Sequence, residues 1–255
     1  MNFFHATILG AVEGVTEFLP ISSTGHLMLA ARLLGLTQTN FVKSFEIAIQ
    51  LGAILAVIVL YGKSLLIDFK IAKRVCAAFV PTAIIGFALY KFIKHFLLGD
   101  SHIVLWSLLL GGVFLIVFEK NHKENALATS DLKNISYHQA FLIGLFQALA
   151  VVPGVSRAAA TIIGGLMLGI QRKTIVEFSF VLAVPTMLAA TGYDLLKSAH
   201  HFSSGEWLSL AVGFFTAFLV SITAIKFLLR YIQNHNFVFF GVYRIAVALL
   251  FWRLI

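Results

Sequence analysis

Six long apolar runs, at roughly 44–62, 75–93, 103–118, 176–196, 207–229 and 237–254, constrain this chain more than any other feature. Most of them approach the ~20 residues that carry an α-helix across a hydrocarbon layer of ~30 Å. The 103–118 run is shorter and must be thin or extend into its flanks. Of the 255 residues, 60% are hydrophobic and only 12% charged, against about 25% charged in an ordinary soluble domain. So few charges cannot tile a water-facing surface, and even a large soluble domain leaves much of its surface exposed. Lipid as the outer solvent removes the conflict, and it demands segments that satisfy their own backbone hydrogen bonds. The expected fold class is therefore all-α: a polytopic membrane protein in a single membrane domain.

Two further regions are apolar but broken. Residues 3–35 are interrupted at Leu19-Pro20-Ile21-Ser22-Ser23-Thr24-Gly25, and residues 137–169 at Val152-Pro153-Gly154-Val155-Ser156-Arg157. Proline stops the helix before it, and a serine or threonine can cap the next one. Each region can be a re-entrant hairpin, two half-helices meeting at a turn within the membrane; such a turn is tolerated only inside protein or beside a polar cavity. The alternative is a pair of short spans joined by a surface loop. The two regions align at an offset of 134, with Gly10 on Gly144, Val15 on Leu149, Ile21 on Val155 and Ser22 on Ser156, and three apolar runs follow each. This predicts an inverted repeat: repeat one at about 3–118, a linker at about 119–136 and repeat two at about 137–255. Three full spans between the hairpins make them enter from opposite faces, so that their turns can meet near the midplane.

Charge orients the scheme. Lys and Arg number 19 against 11 Asp and Glu, a net +8. The basic residues sit mostly in short gaps between apolar runs, which points to anionic headgroups rather than nucleic acid and leaves an anionic substrate open. Lys63, Lys70, Lys73, Arg74, Lys120, Lys123, Lys133, Arg172, Lys173, Lys226 and Arg230 fall on one side, expected to be cytoplasmic; Lys91 and Lys94 fall opposite. The 119–136 segment, mixed in charge, is expected to be a flexible surface link. A single cysteine, Cys76, excludes an internal disulfide and a cysteine metal cluster. Glu13 and Glu17 interrupt the apolar start, which has no basic flank and is expected to remain in the mature protein. Gly52, Gly86, Gly111-Gly112 and Gly164-Gly165 are expected at close helix contacts, and Glu177 beside Arg172 and Lys173 at the surface. No Walker or dinucleotide pattern is present.

The polar residues concentrate at the two breaks. Glu13 and Glu17, four apart, share a helical face. There they could hold a divalent metal, share a proton, pair with a base elsewhere, or form an ordinary headgroup pair. Ser22, Ser23 and Thr24 stand where a second half-helix starts; one can cap it while the free N–H groups and the positive helix end suit an anion. His26 could move a proton near neutral pH or be a hydrogen-bonded core residue. Arg157, beside Ser156, is the only Lys or Arg between Lys133 and Arg172. Its forked donors match a phosphate, and it could equally bridge to Glu13 or Glu17. Two carboxylates, two hydroxyl clusters, a histidine and an arginine within the bilayer make either a phosphoryl-transfer site or an anion-transport site. A substrate reached from lipid would carry its own apolar tail.

The run from Glu13 to His26 resembles the signature of the bacterial undecaprenyl-diphosphatase, or bacitracin-resistance, family. So do Phe45-Glu46-Ile47-Ala48-Ile49-Gln50-Leu51-Gly52, Pro81-Thr82-Ala83-Ile84-Ile85-Gly86, Pro153-Gly154-Val155-Ser156-Arg157 and the tail around Phe240 and Tyr243-Arg244, a resemblance running from near residue 4 to 255. It implies an enzyme of the bacterial inner membrane, opening to the periplasmic face, that hydrolyses undecaprenyl diphosphate to undecaprenyl phosphate and inorganic phosphate. Such an enzyme recycles the lipid carrier of cell-wall synthesis. It implies a divalent cation, Mg²⁺ or Ca²⁺, on Glu13 and Glu17; phosphate contacts from Ser22, Ser23, Thr24, Ser156 and Arg157; and catalytic roles for Glu13, Glu17, Ser23 as nucleophile, His26 as its acid–base partner, and Arg157. Its partners would be undecaprenyl diphosphate and membrane lipid, with no nucleic acid and with a homo-oligomer allowed. The other function class is a transporter or flippase of a prenyl phosphate or another anion. In one place the chain departs from the family pattern: Ala158 and Ala159 stand where Ser-Gly is usual.

Overall fold

A computed structural model describes residues 1–92, 100–123, 128–198 and 202–253. Lys94 and Leu254, the end of the sixth apolar run, lie outside the described residues. Among these residues, eleven α-helices follow one another: α1 (Phe3–Thr16), α2 (Ser23–Leu33), α3 (Asn40–Ala48), α4 (Gln50–Ile67), α5 (Phe69–Phe92), α6 (Ser101–Asn121), α7 (Tyr137–Ala148), α8 (Arg157–Met167), α9 (Arg172–Ser198), α10 (Ser204–Tyr231) and α11 (Val238–Trp252). Among the described residues, five stretches are long and apolar enough to cross a bilayer: Asn40–Gly62, Phe69–Leu89, Ser101–Asn121, Arg172–Leu196 and Ser204–Tyr231. The chain is thus an all-α, polytopic membrane protein, as its apolar runs predict.

The runs and the helices differ in detail. The 103–118 run extends into its flanks and becomes a helix of 21 residues, because Asp100 caps it through the N–H groups of His102 and Ile103. The sixth run yields a helix of only 15 residues, about 22 Å at ~1.5 Å per residue and short of a full crossing. Residues 128–136 do not form the expected loose link. Thr129 pairs with Ile170, Leu132–Asn134 forms a 3-10 turn, and Lys133 meets Asp68 at 2.8 Å. Arg172 pairs with Glu119 through both guanidinium nitrogens rather than standing only beside Glu177.

The helices pack in a reciprocal pattern. α1 lies along α10 and α7 along α5, α6 pairs with α11, and α4 runs between α9 and α10. Glycines set the closest of these contacts. A Cβ on Gly10 would fall 2.5 Å from the Gly213 carbonyl oxygen, and one on Gly144 would fall 2.0 Å from that of Ala78. Gly52, Gly111, Gly112, Gly164 and Gly165 are likewise at contacts. Gly86 is the exception: apart from its own helix backbone, no atom of the described residues lies within 4 Å of a Cβ built there.

Polarity is arranged for lipid. Ile84 and Phe87 on α5, Leu110 and Phe114 on α6, and Phe215 and Leu219 on α10 are exposed, whereas Glu13, Glu17, Arg157 and Arg244 are buried. In water an exterior of this kind would drive association, but against acyl chains it is matched to its solvent. The interior then has to satisfy its charges locally.

Candidate active site

The two breaks fold as the punctuation of the sequence requires. α1 ends at Thr16 and the chain turns through Leu19-Pro20-Ile21, where the Ile21 N–H donates to the Leu19 carbonyl at 2.7 Å. α7 ends at Ala148, a 3-10 turn covers Leu149–Val151, and Gly154 takes φ +93°. Each turn then starts its second helix from a serine in an unusual conformation. Ser22 has φ 72° and Ser156 φ 77°, the two positive-φ non-glycine residues among those described. Each side chain caps its helix, Ser22 accepting from the Gly25 N–H at 3.4 Å and Ser156 from the Ala159 N–H at 3.2 Å. Backbone held in such a sparsely populated region costs about 1–3 kcal/mol per residue and is typical of ligand-binding turns. The pair aligned by an offset of 134 in the sequence is therefore also a pair in backbone geometry.

The N-termini of α2 and α8 open on one cleft. Its lining includes Glu17, Ser22, Ser23, Thr24, Ser156 and Arg157, together with Gln50 and Met187. Arg157 Nη2 donates to Glu17 Oε1 at 3.2 Å, and the Ser23 hydroxyl donates to Glu17 Oε2 at 2.5 Å. Arg157 Nη1 donates to the Ser179 carbonyl at 2.8 Å, and the Ser179 hydroxyl meets that of Thr161 at 2.7 Å. This run of contacts is almost fully enclosed, with side-chain exposures of 7% for Arg157 and 3% for Glu17. Among the described residues, the buried donor Arg157 Nε has no hydrogen-bond partner. The buried carboxylate oxygens of Glu13 likewise have none among the described residues, and Glu13 faces the like-charged Glu17.

A profile of the family described as Bacitracin resistance protein BacA matches residues 6–250. The chain belongs to the BacA bacitracin-resistance family. It is 51% identical over 251 residues to a protein named undecaprenyl-diphosphatase from Aquifex aeolicus, covering 98% of each chain. It is 52% identical over 252 residues to the protein of that name from a Sulfurihydrogenibium species, covering 99% of each. A third relative so named, from Wolinella succinogenes, is 48% identical over 251 residues, covering 98% of this chain and 97% of that one.

Within this BacA-family chain the structure distributes the sequence candidates unevenly. Glu17, Ser22, Ser23, Thr24, Ser156 and Arg157 share the cleft. His26 is engaged elsewhere: its Nδ1 bonds to the Ser22 carbonyl at 2.7 Å, and its Nε2 meets the Tyr243 hydroxyl at 3.0 Å with the two rings stacked. Donation to a carbonyl requires the proton on Nδ1, so a neutral His26 accepts from Tyr243 at Nε2. The proton acceptor in contact with Ser23 is thus Glu17. Ala158 and Ala159 are not among the residues lining the cleft: Ala158 is buried in the apolar core, and the Ala159 N–H caps onto Ser156.

Gln50, Met187, Ser179 and Thr161 are not among the site residues the sequence points to. Gln50 enters there only within a family-like segment; Thr161 lies one turn after Arg157 on α8, and Ser179 carries no local signal, because only the approach of α9 to α8 makes it a neighbour of Arg157.

Proposed function

We propose that this chain hydrolyses undecaprenyl diphosphate to undecaprenyl phosphate and inorganic phosphate in the cleft between the two turns, recycling the lipid carrier of cell-wall synthesis. The observation that carries the reading is the buried Ser23–Glu17–Arg157 contact at the junction of two helix N-termini. Such a junction suits an anion, since free N–H groups and both positive helix ends face it. The name shared by close relatives supplies the prenyl tail, and the lipid-matched exterior gives that tail a path to the site.

The arrangement supports a two-step phosphoryl transfer. Ser23 Oγ attacks the terminal phosphorus as its proton passes to Glu17; the bond from that phosphorus to the bridging oxygen breaks, and undecaprenyl phosphate leaves with the electron pair. Water then cleaves the phosphoseryl bond and releases inorganic phosphate. His26, on the first turn of α2 with Ser23, can act as the acid–base group of that second step only by giving up its bond to Tyr243. Arg157 offers a fork of donors to the terminal phosphoryl oxygens, exchanging its bond to Glu17 for one to the substrate. Direct attack by water, with Ser23 only a hydrogen-bond donor, is the competing route.

A divalent cation fits the donors at hand. Glu13 has two buried oxygens with no hydrogen-bond partner among the described residues, and Glu17 lies one turn away on the same face. Two carboxylates alone suit Mg²⁺ or Ca²⁺ when substrate oxygens and water complete the shell. Such an ion would neutralise charge on the diphosphate.

The finer architecture belongs to the same proposal. The reciprocal packing of α1 on α10 and α7 on α5, with serine caps 134 residues apart in matching conformation, supports two re-entrant hairpins in an inverted repeat. α11 together with its flanking residues then serves as the sixth span, and the halves run over about 3–118 and 137–255. With the basic connections cytoplasmic, the site opens toward the periplasmic face of the inner membrane.

The test is phosphate release from undecaprenyl diphosphate by the purified protein, with and without chelator. Metal-dependent release is the expected result. Absence of release, together with lipid flux in liposomes, would replace the hydrolase with a transporter.

A further inference from the structure

Arg244, on α11, is 1% exposed and pairs with no carboxylate among the described residues. An unpaired cation inside a membrane protein is costly unless backbone carbonyls or an anion solvate it. Here carbonyls do so completely. Nε donates to Leu108 O at 3.3 Å, Nη1 to Pro20 O at 3.4 Å and to Val155 O at 3.0 Å, and Nη2 to Ser107 O at 2.9 Å and to Gly154 O at 2.9 Å. A guanidinium has five N–H donors, and all are used.

The acceptors are what matter. Pro20 belongs to the first turn, Gly154 and Val155 to the second, and Ser107 and Leu108 to α6. Nη1 alone ties the first turn to the second. The carbonyls of Pro20, Gly154 and Val155 lie outside any helix, so without Arg244 they would be buried and unsatisfied; those of Ser107 and Leu108 fix the guanidinium to α6. α6 is cut away to admit the group: a Cβ on Gly111 would stand 2.1 Å from Arg244 Nη2.

We infer that Arg244 is a positioning residue for the reaction: it locks the two turns against each other and against α6, and so sets the spacing between Ser23 on one side of the cleft and Arg157 on the other. This rests on the hydrolase reading of the cleft. Because the ligands of Arg244 are neutral carbonyls, its charge also stays uncancelled behind the turns, where it favours an anion. Lysine cannot substitute, since three donors on one nitrogen do not span five acceptors on three segments.

The test uses two variants of the full-length protein in detergent, Arg244→Lys and Gly111→Ala. The first keeps the charge and loses the fork; the second keeps Arg244 and displaces it. Amide hydrogen exchange is followed at residues 19–25 and 152–159, with α4 and α10 as internal references, and KM and kcat are measured with undecaprenyl diphosphate. Both variants should exchange at least about tenfold faster in the two turns, with references unchanged, and should raise KM at least about tenfold, the scale of one lost charge-assisted hydrogen bond. A preparation that is merely partly unfolded lowers kcat and leaves KM alone. Wild-type exchange in the turns, an unchanged KM, or loss of protection across α4 and α10 in both variants would overturn the positioning role. If the wild type releases no phosphate, the hydrolase reading fails, while the exchange arm still decides whether Arg244 locks the turns.

Discussion

Glu17 and Arg157, 140 residues apart in sequence, meet at 3.2 Å inside the protein. Each stands at one of the two turns, so their contact is also the contact between the halves of the cleft. A buried pair of this kind contributes little net stability, because desolvation offsets the attraction, but removing one partner costs about 3–5 kcal/mol. An anionic substrate can take the place of Glu17 on Arg157 without leaving the guanidinium unpaired.

Arg157→Lys tests the fork. It keeps the charge and loses bidentate geometry, and kcat/KM should fall at least about tenfold, as one charge-assisted hydrogen bond is worth about 1.5–3 kcal/mol. Unchanged steady-state kinetics would end the phosphate clamp.

Ser23→Ala separates the two chemical routes. If Ser23 is the nucleophile, turnover should drop by at least about 100-fold, and rapid acid quench of wild type should trap a phosphoseryl species. Turnover close to wild type would leave water as the attacking group.

Glu13→Gln should move stability and activity in opposite directions. Both oxygens of Glu13 are buried with no hydrogen-bond partner among the described residues and lie beside the like-charged Glu17, and a buried charge so placed opposes folding. The neutral amide should raise the thermal midpoint measured in chelator. If Glu13 helps hold a divalent cation, the same change should shift the activating metal concentration upward by at least about tenfold. A midpoint that falls in chelator would show that Glu13 has a partner in the apo protein.

Helix packing can be tested with three glycines. Gly144→Ala would push a methyl to 2.0 Å from the Ala78 carbonyl and Gly10→Ala one to 2.5 Å from that of Gly213, each costing about 1–3 kcal/mol. Gly86→Ala meets nothing within 4 Å and should stabilise its helix by roughly 0.5–1 kcal/mol. Thermal unfolding in one detergent measures all three, and equal midpoints would contradict the close approach of α7 to α5.

Some of the site was legible before folding. Ser22 and Ser156 announce themselves by following Pro-containing breaks in apolar sequence, and both became helix caps at positive φ. Arg157 was conspicuous as a lone cation in an apolar hairpin, and a bridge to Glu17 was among its open readings. Arg244 drew notice only as part of a family-like tail, since nothing local marks which carbonyls it will reach. The family resemblance implies His26 as the partner of Ser23; that its ring also bonds to the Ser22 carbonyl and to Tyr243 is visible only in the structure.

By itself the sequence determined the solvent, the helical class and the places where helices must stop, because hydropathy, proline and capping act over a few residues. Which side chains became neighbours was decided only when α1 docked on α10, α7 on α5 and α6 on α11. Glu17 found Arg157, and Arg244 found both turns, through those contacts; in a low-dielectric interior a charge is stabilised by whatever folding brings within hydrogen-bond reach, and that distance is not written in the order of the residues.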